Sequence, residues 1–166
     1  MFNNTSKGEE KMVQNAPGRS FLKVTGILCI IYGAVLLLSS VSSIFVYTQL
    51  TSGKLSDEVM DLYEQMNITA SSLLISIIFV VVAAVVFLAA GILGVANSRK
   101  VERAGICMIM GILMIAYVVI NFGYGALTSG VAVGSIISTV LMLIVPLLYL
   151  WGALKNKEVS DGNVSE

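Results

Sequence analysis

The residues of this chain whose types could do chemistry are few. Cys29 and Cys107 are its two cysteines, and Tyr117, Asn121, Ser135, Ser138, Thr139 and Tyr149 carry hydroxyl or amide groups within otherwise apolar sequence. Thiolates can form a redox pair or bind soft metals. Hydroxyls and amides on apolar helices can line a polar path or bond one helix to another. The absences are more decisive. There is no histidine, and no Asp, Glu, Lys or Arg lies between Lys23 and Lys54, between Glu64 and Arg99, or between Arg103 and Lys155. Acid–base catalysis needs a group that titrates at the reacting centre, and proton-coupled transport leaves an ionisable residue at membrane depth. The serines at 39, 40, 42 and 43 have no base within the apolar segments to activate them. A thiol oxidase would want a close Cys-x-x-Cys pair, which this chain lacks. The expectation is therefore a protein that is not an enzyme, without catalytic residues, cofactor or metal site. Cys29 and Cys107 read as buried free thiols used as small apolar residues. The competing reading is a thiol pair brought together by the fold.

The elements that must position these residues follow from the uncharged gaps. With 57% hydrophobic and 12% charged residues in 166, the chain is too apolar for a soluble domain of this length, and the surplus must face lipid. A spanning helix needs roughly 20 mostly apolar residues. The gaps 24–53 and 65–98 each hold one span, and 104–154 holds two with a turn around Asn121-Phe122-Gly123-Tyr124-Gly125 and Thr128-Ser129-Gly130. Spans are expected near 21–47, 69–96, 104–126 and 131–153. The second is the strongest: fifteen Leu, Ile, Val or Phe residues between Leu73 and Leu93 contribute about −0.3 to −0.6 kcal/mol each at mid-membrane. The fold class expected is an all-α membrane protein, a four-helix bundle running up-down-up-down.

Nine of the ten basic residues flank the spans on the side of the two termini, and only Lys54 lies on the other. Basic residues near span ends are retained inside, so both termini are expected in the cytoplasm of a cell-membrane protein. The loop holding Lys54 also carries Asp57, Glu58, Asp61 and Glu64, a net charge of −3. A cleaved signal peptide is the competing reading of the first span, disfavoured by its long polar lead.

Residues 1–19 and 155–166 are polar and read as flexible tails flanking a transmembrane domain over 20–154. Asn3, Asn4, Asn67 and Asn163 stand in Asn-x-Ser/Thr triplets, read as chance. In the acidic loop, Ser56 can cap a helix whose first turn carries Asp57 and Glu58. Leu55, Val59, Leu62, Tyr63 and Met66 recur at helical spacing, which predicts a short amphipathic helix at 56–66. Cys29-Ile30-Ile31-Tyr32-Gly33 aligns with Cys107-Met108-Ile109-Met110-Gly111, and the ends of the second and fourth spans echo each other around Gly94 and Gly152. These matches suggest two parallel helical hairpins.

Lipid tails are as apolar as leucine, so spans associate at small residues and through hydrogen bonds. Ser72, Ser76, Ala83, Ala90 and Gly94 fall within about 40° of one another on a helix. Gly26, Gly33 and Ser40 recur at steps of seven on the first span, a spacing that favours left-handed packing. Gly111 on the third span and Gly130-x-x-x-Gly134 at the start of the fourth complete the candidate packing positions. Pro146 removes the hydrogen bond to the Met142 carbonyl and predicts a kink. Around it, Ser135, Ser138, Thr139 and Tyr149 form a polar stripe expected to face protein, with Tyr117 and Asn121 as partners across helices.

The layout resembles the small tetraspan membrane proteins. The run from Gly91-Ile92-Leu93-Gly94 through Arg99-Lys100 resembles the join of the second and third spans in the CD20-like family and in small bacterial four-span proteins. Claudin loop residues, the Cys-Cys-Gly of tetraspanins and the first-span glutamate of small multidrug exporters are missing. The function expected is an accessory, scaffold or oligomer-forming membrane component acting through helix packing. Its partners would be the lipid bilayer, a second copy or another membrane protein, and no nucleic acid. The alternative is a small oligomeric channel or transporter lined by the Ser, Thr and Tyr stripes, and more distantly a thiol-dependent redox protein.

Overall fold

The computed structural model describes residues 16–162. Four long helices, each apolar and long enough to cross a membrane, form the body of the protein: α1 (Arg19–Thr51), α3 (Ala70–Asn97), α4 (Ala104–Ser129) and α5 (Val133–Gly162). A short helix, α2 (Asp57–Gln65), lies between α1 and α3, and one 3-10 turn, Val101–Arg103, joins α3 to α4. The helices run up and down, so α1 packs against α3 and α5, and α4 against the same two. The most extensive contact is that between α1 and α3. Arg19, Lys23, Arg99, Lys100, Arg103, Lys155 and Lys157 mark one end of the bundle, here the basic end, and the α2 segment marks the other, the acidic end.

The boundaries differ from expectation in instructive ways. The 33 residues of α1 would reach about 50 Å at 1.5 Å per residue, well beyond a hydrocarbon core of about 30 Å. Residues Asn121 to Ser129, expected to begin the turn, stay helical, and only 130–132 separate α4 from α5. Gly130, at φ 77°, takes the left-handed backbone that ends α4. The stretch from Lys155, expected as a tail, is helical through Gly162; Asn156 anchors its first turn and Lys155 pairs with Glu158 at 3.0 Å. Pro146 is buried inside a helix that continues on both sides of it. The polar tail read over 1–19 lies largely outside the described residues, and Arg19 already belongs to α1.

Local capping also departs from expectation. Ser56 precedes α2 in an extended conformation but makes no side-chain cap. The capping box belongs to α3 instead: Thr69 Oγ1 accepts from the Ser72 N–H at 3.2 Å, and the Ser72 hydroxyl accepts from the Thr69 N–H at 2.9 Å. Ser72 is thus occupied at the helix start, not in the packing stripe. No residue of α2 is buried, so Leu62 on the helix and Met66 just after it stay half exposed beside its carboxylates.

The α1–α3 contact rests on glycines placed back to back. A Cβ on Gly91 would stand 2.6 Å from the Gly26 carbonyl oxygen, and one on Gly26 would stand 3.0 Å from the Gly91 oxygen. Farther along, a Cβ on Gly33 would meet the Leu88 side chain at 2.7 Å, and Ser40 is buried on the same face. Small residues at this seam let the two backbones approach, the device by which membrane helices gain packing where lipid offers no hydrophobic drive. Gly111 performs on α4 what Gly33 performs on α1, since a Cβ there would meet Leu150 of α5 at 3.1 Å.

Candidate functional site

At the basic end the bundle is closed by Gly18, Gly152 and Asn156. The Asn156 side chain is fully buried, accepts from the Gly18 N–H at 2.8 Å and donates to the Ser98 carbonyl at 3.2 Å. One amide thereby ties the entry of α1, the α3–α4 turn and α5 together, and it satisfies a donor and an acceptor that would otherwise be buried unpaired. A Cβ on Gly152 would press on Phe21 at 2.9 Å, and no Cβ fits on Gly18 against the Gly152 carbonyl. None of these three residues follows from an amphipathic period. Asn156 lies just past the last apolar run, where a polar residue reads as tail.

The middle of the bundle is built around Tyr149, whose ring is fully buried against Gly94. Its hydroxyl donates to the Ala90 carbonyl of α3 at 2.8 Å. Cys29, Cys107 and Met114 share this core, all with no exposed surface. The two cysteines are free: the Cys29 thiol points to the Met114 sulfur at 3.7 Å and the Cys107 thiol to the Leu93 carbonyl at 3.8 Å. The fold brings both thiols into one cluster without joining them.

Toward the acidic end the packing loosens into two hollows that share a wall. The first, about 260 Å³, lies among all four long helices and is lined by Tyr32, Ser76, Phe79, Tyr117, Asn121 and Tyr124, among others. Aromatic contacts frame it, with Tyr32 edge-on to Phe87 at 5.0 Å, Phe87 edge-on to Tyr117 at 6.4 Å, and Phe79 stacked on Tyr124 at 5.1 Å. The second, about 620 Å³, is a groove between α1 and α5 lined chiefly by Leu28, Ile31, Val35, Leu141 and Val145, with Phe87 behind. Tyr32 and Met142 border both, and the Tyr32 hydroxyl reaches the Met142 sulfur at 3.9 Å.

The polar stripe does not bond across helices as a unit. Tyr117 and Tyr149 reach α3 carbonyls, Phe79 at 3.1 Å and Ala90 respectively. Ser135, Ser138 and Thr139 instead donate to carbonyls within or just before their own helix, and Ser138 is exposed at the groove. Such local bonds satisfy a hydroxyl in an apolar setting but add nothing between helices. Of the small residues, Gly26, Gly33, Ser40, Ala83, Ala90 and Gly111 lie buried in the bundle, Gly94 houses the Tyr149 ring, and Ser76 borders the central hollow. Gly130 and Gly134 meet nothing within 4 Å, so they bring no backbones together within one chain.

Fold and site together define a multi-pass membrane protein, a four-helix bundle closed at its basic end and hollowed in the half nearer its acidic end. No family model, no curated protein and no solved structure matches the chain.

Proposed function

We propose that this protein is a noncatalytic accessory or scaffold component of the cell membrane that acts by helix packing, with a second copy or another membrane protein as partner. The observation that carries the reading is where its buried and half-buried polar groups go. Tyr149, Tyr117, Thr25 and Ser40 donate to backbone carbonyls, and the Asn156 amide bonds only backbone. Polar groups engaged in this way hold the helices in place. Gly105, Gly123, Gly125 and Gly134, with nothing within 4 Å, add small-residue surface on α4 and α5 where another helix could approach closely. The basic end, with both termini, faces the cytoplasm by the positive-inside rule, and α2 lies at the opposite interface with its carboxylates in water.

Extraction in a mild detergent followed by native mass measurement tests this. A defined heteromeric or homomeric complex supports the role, and a lone monomer from every mild condition overturns it.

A transporter or channel is the second reading, favoured by the hollow among the four long helices. In the described conformation the Gly18–Gly152–Asn156 closure blocks the basic end, so conduction would require that closure to open. Flux into liposomes that rises when Asn156 is replaced by alanine would favour it.

A further inference from the structure

Three polar side chains around the central hollow have no good hydrogen-bond partner. Among the described residues the partly exposed Asn121 and Tyr124 make no side-chain hydrogen bond, and the Tyr32 hydroxyl has only a thioether sulfur, a weak acceptor. Asn121 lies eight residues from the end of α4, about 12 Å along the axis, and therefore within the hydrocarbon zone of a centred span. Polar groups at that depth are costly unless something satisfies them. The groups are neutral, as is every other side chain bordering the hollow, so a charged head would be left uncompensated.

The adjoining groove supplies the other half of a site. Leu28, Ile31, Val35 and Leu141 are about half exposed along α1 and α5 at mid-span, so the groove opens sideways to lipid. Its volume lies within the range of about 300–1,000 Å³ common for ligand pockets, and its wall is almost wholly apolar. A chain entering from the bilayer would lie along this wall, and its polar end would part the weak Tyr32–Met142 contact at 3.9 Å to reach Asn121. We propose that the α1–α5 groove and the central hollow form one binding site for a neutral lipid with a free hydroxyl, such as a diacylglycerol. One acyl chain lies in the groove, the other stays in the bilayer, and the hydroxyl bonds Asn121 and Tyr32. This inference stands apart from the scaffold role and from any oligomer.

The test is photolabelling of the full-length protein in lipid nanodiscs with a diacylglycerol that carries a diazirine on one acyl chain. Label is expected on the segments 28–35 and 138–145. Unlabelled diacylglycerol should compete it away, whereas phosphatidic acid with the same chains should compete poorly. Replacing Asn121 by leucine together with Tyr32 by phenylalanine should cut labelling about fivefold or more, the scale of lost hydrogen bonds to a bound head. Leu141→Trp, at the exposed rim of the groove, should block the chain without touching the core. Label spread evenly over outward positions such as Val82, Ile120 and Leu154 overturns the proposal, as does equal competition by phosphatidic acid. Undiminished labelling of the Leu141→Trp protein overturns it as well.

Discussion

Tyr149 occupies the space that Gly94 leaves empty. A Cβ on Gly94 would stand 2.5 Å from the ring carbon Cε2, while the hydroxyl of the same ring donates to the Ala90 carbonyl one turn away on α3. The pair joins α5 to α3 across the bundle and sets how closely these two helices approach.

Gly94→Val should therefore expel the ring and cost about 1–3 kcal/mol, the usual penalty for overpacking. Tyr149→Phe keeps the ring and loses only the hydrogen bond, so its cost should be smaller, about 0.6–1.7 kcal/mol by the scale of interhelical bonds in membranes. Reversible unfolding in mixed micelles measures both, and an equal effect of the two substitutions would refute the steric account.

Asn156→Leu fills similar volume but leaves the Gly18 N–H and the Ser98 carbonyl without their partner, at about 1–3 kcal/mol for a buried group left unpaired. The entry of α1 and the α3–α4 turn should loosen together. Limited trypsin digestion reads this directly, through faster cleavage at Arg19, Lys23, Arg99 and Lys100 than in the parent protein.

Gly91→Leu should separate α1 from α3 more severely than Gly134→Leu disturbs anything within the chain. The first side chain would collide with the Gly26 carbonyl and Ile30, whereas the second meets open space. Thermal stability should fall for the former and hold for the latter. If Gly134→Leu instead shifts the assembly toward monomer, its face is an interface between chains.

Both thiols should be slow to react with a maleimide in the folded protein and should react fully after denaturation, because Cys29 and Cys107 have no exposed surface. Time-resolved labelling followed by intact mass distinguishes this from a reactive pair, which would label fast in the native state. Replacing both by serine should leave assembly unchanged under the scaffold reading.

Lys155→Ala should change stability by less than about 1 kcal/mol, since its ion pair with Glu158 is exposed on both sides and water screens it. The contrast with Asn156, one residue on, separates a decorative contact from a closure.

Composition alone carries the part of the fold that is legible in the sequence. Three uncharged runs, the last long enough for two spans, become α1, α3, α4 and α5, and Asp57 and Glu58 do lie in the first turn of α2. The site is less legible. The stripe through Gly94 was legible, but Gly91, only three residues earlier, is the glycine that meets Gly26. Ser72 and Ser76 share that stripe by angle, yet one closes a capping box and the other borders a hollow. Phe79, Phe87 and Tyr124 vanish among aliphatics in a hydropathy reading, although their ring contacts frame the central hollow.

The medium, the number of spans and the contrast between a basic and an acidic end were determined by sequence alone, because partition into lipid is close to a sum over residues in a short window. Which face of each helix meets which neighbour was decided only in three dimensions. Leucine is as content against lipid as against protein, so hydropathy cannot rank the faces. The choice falls to shape: a tyrosine against a missing Cβ, two glycine backbones in contact, and one asparagine that reaches two strands of chain far from it in sequence.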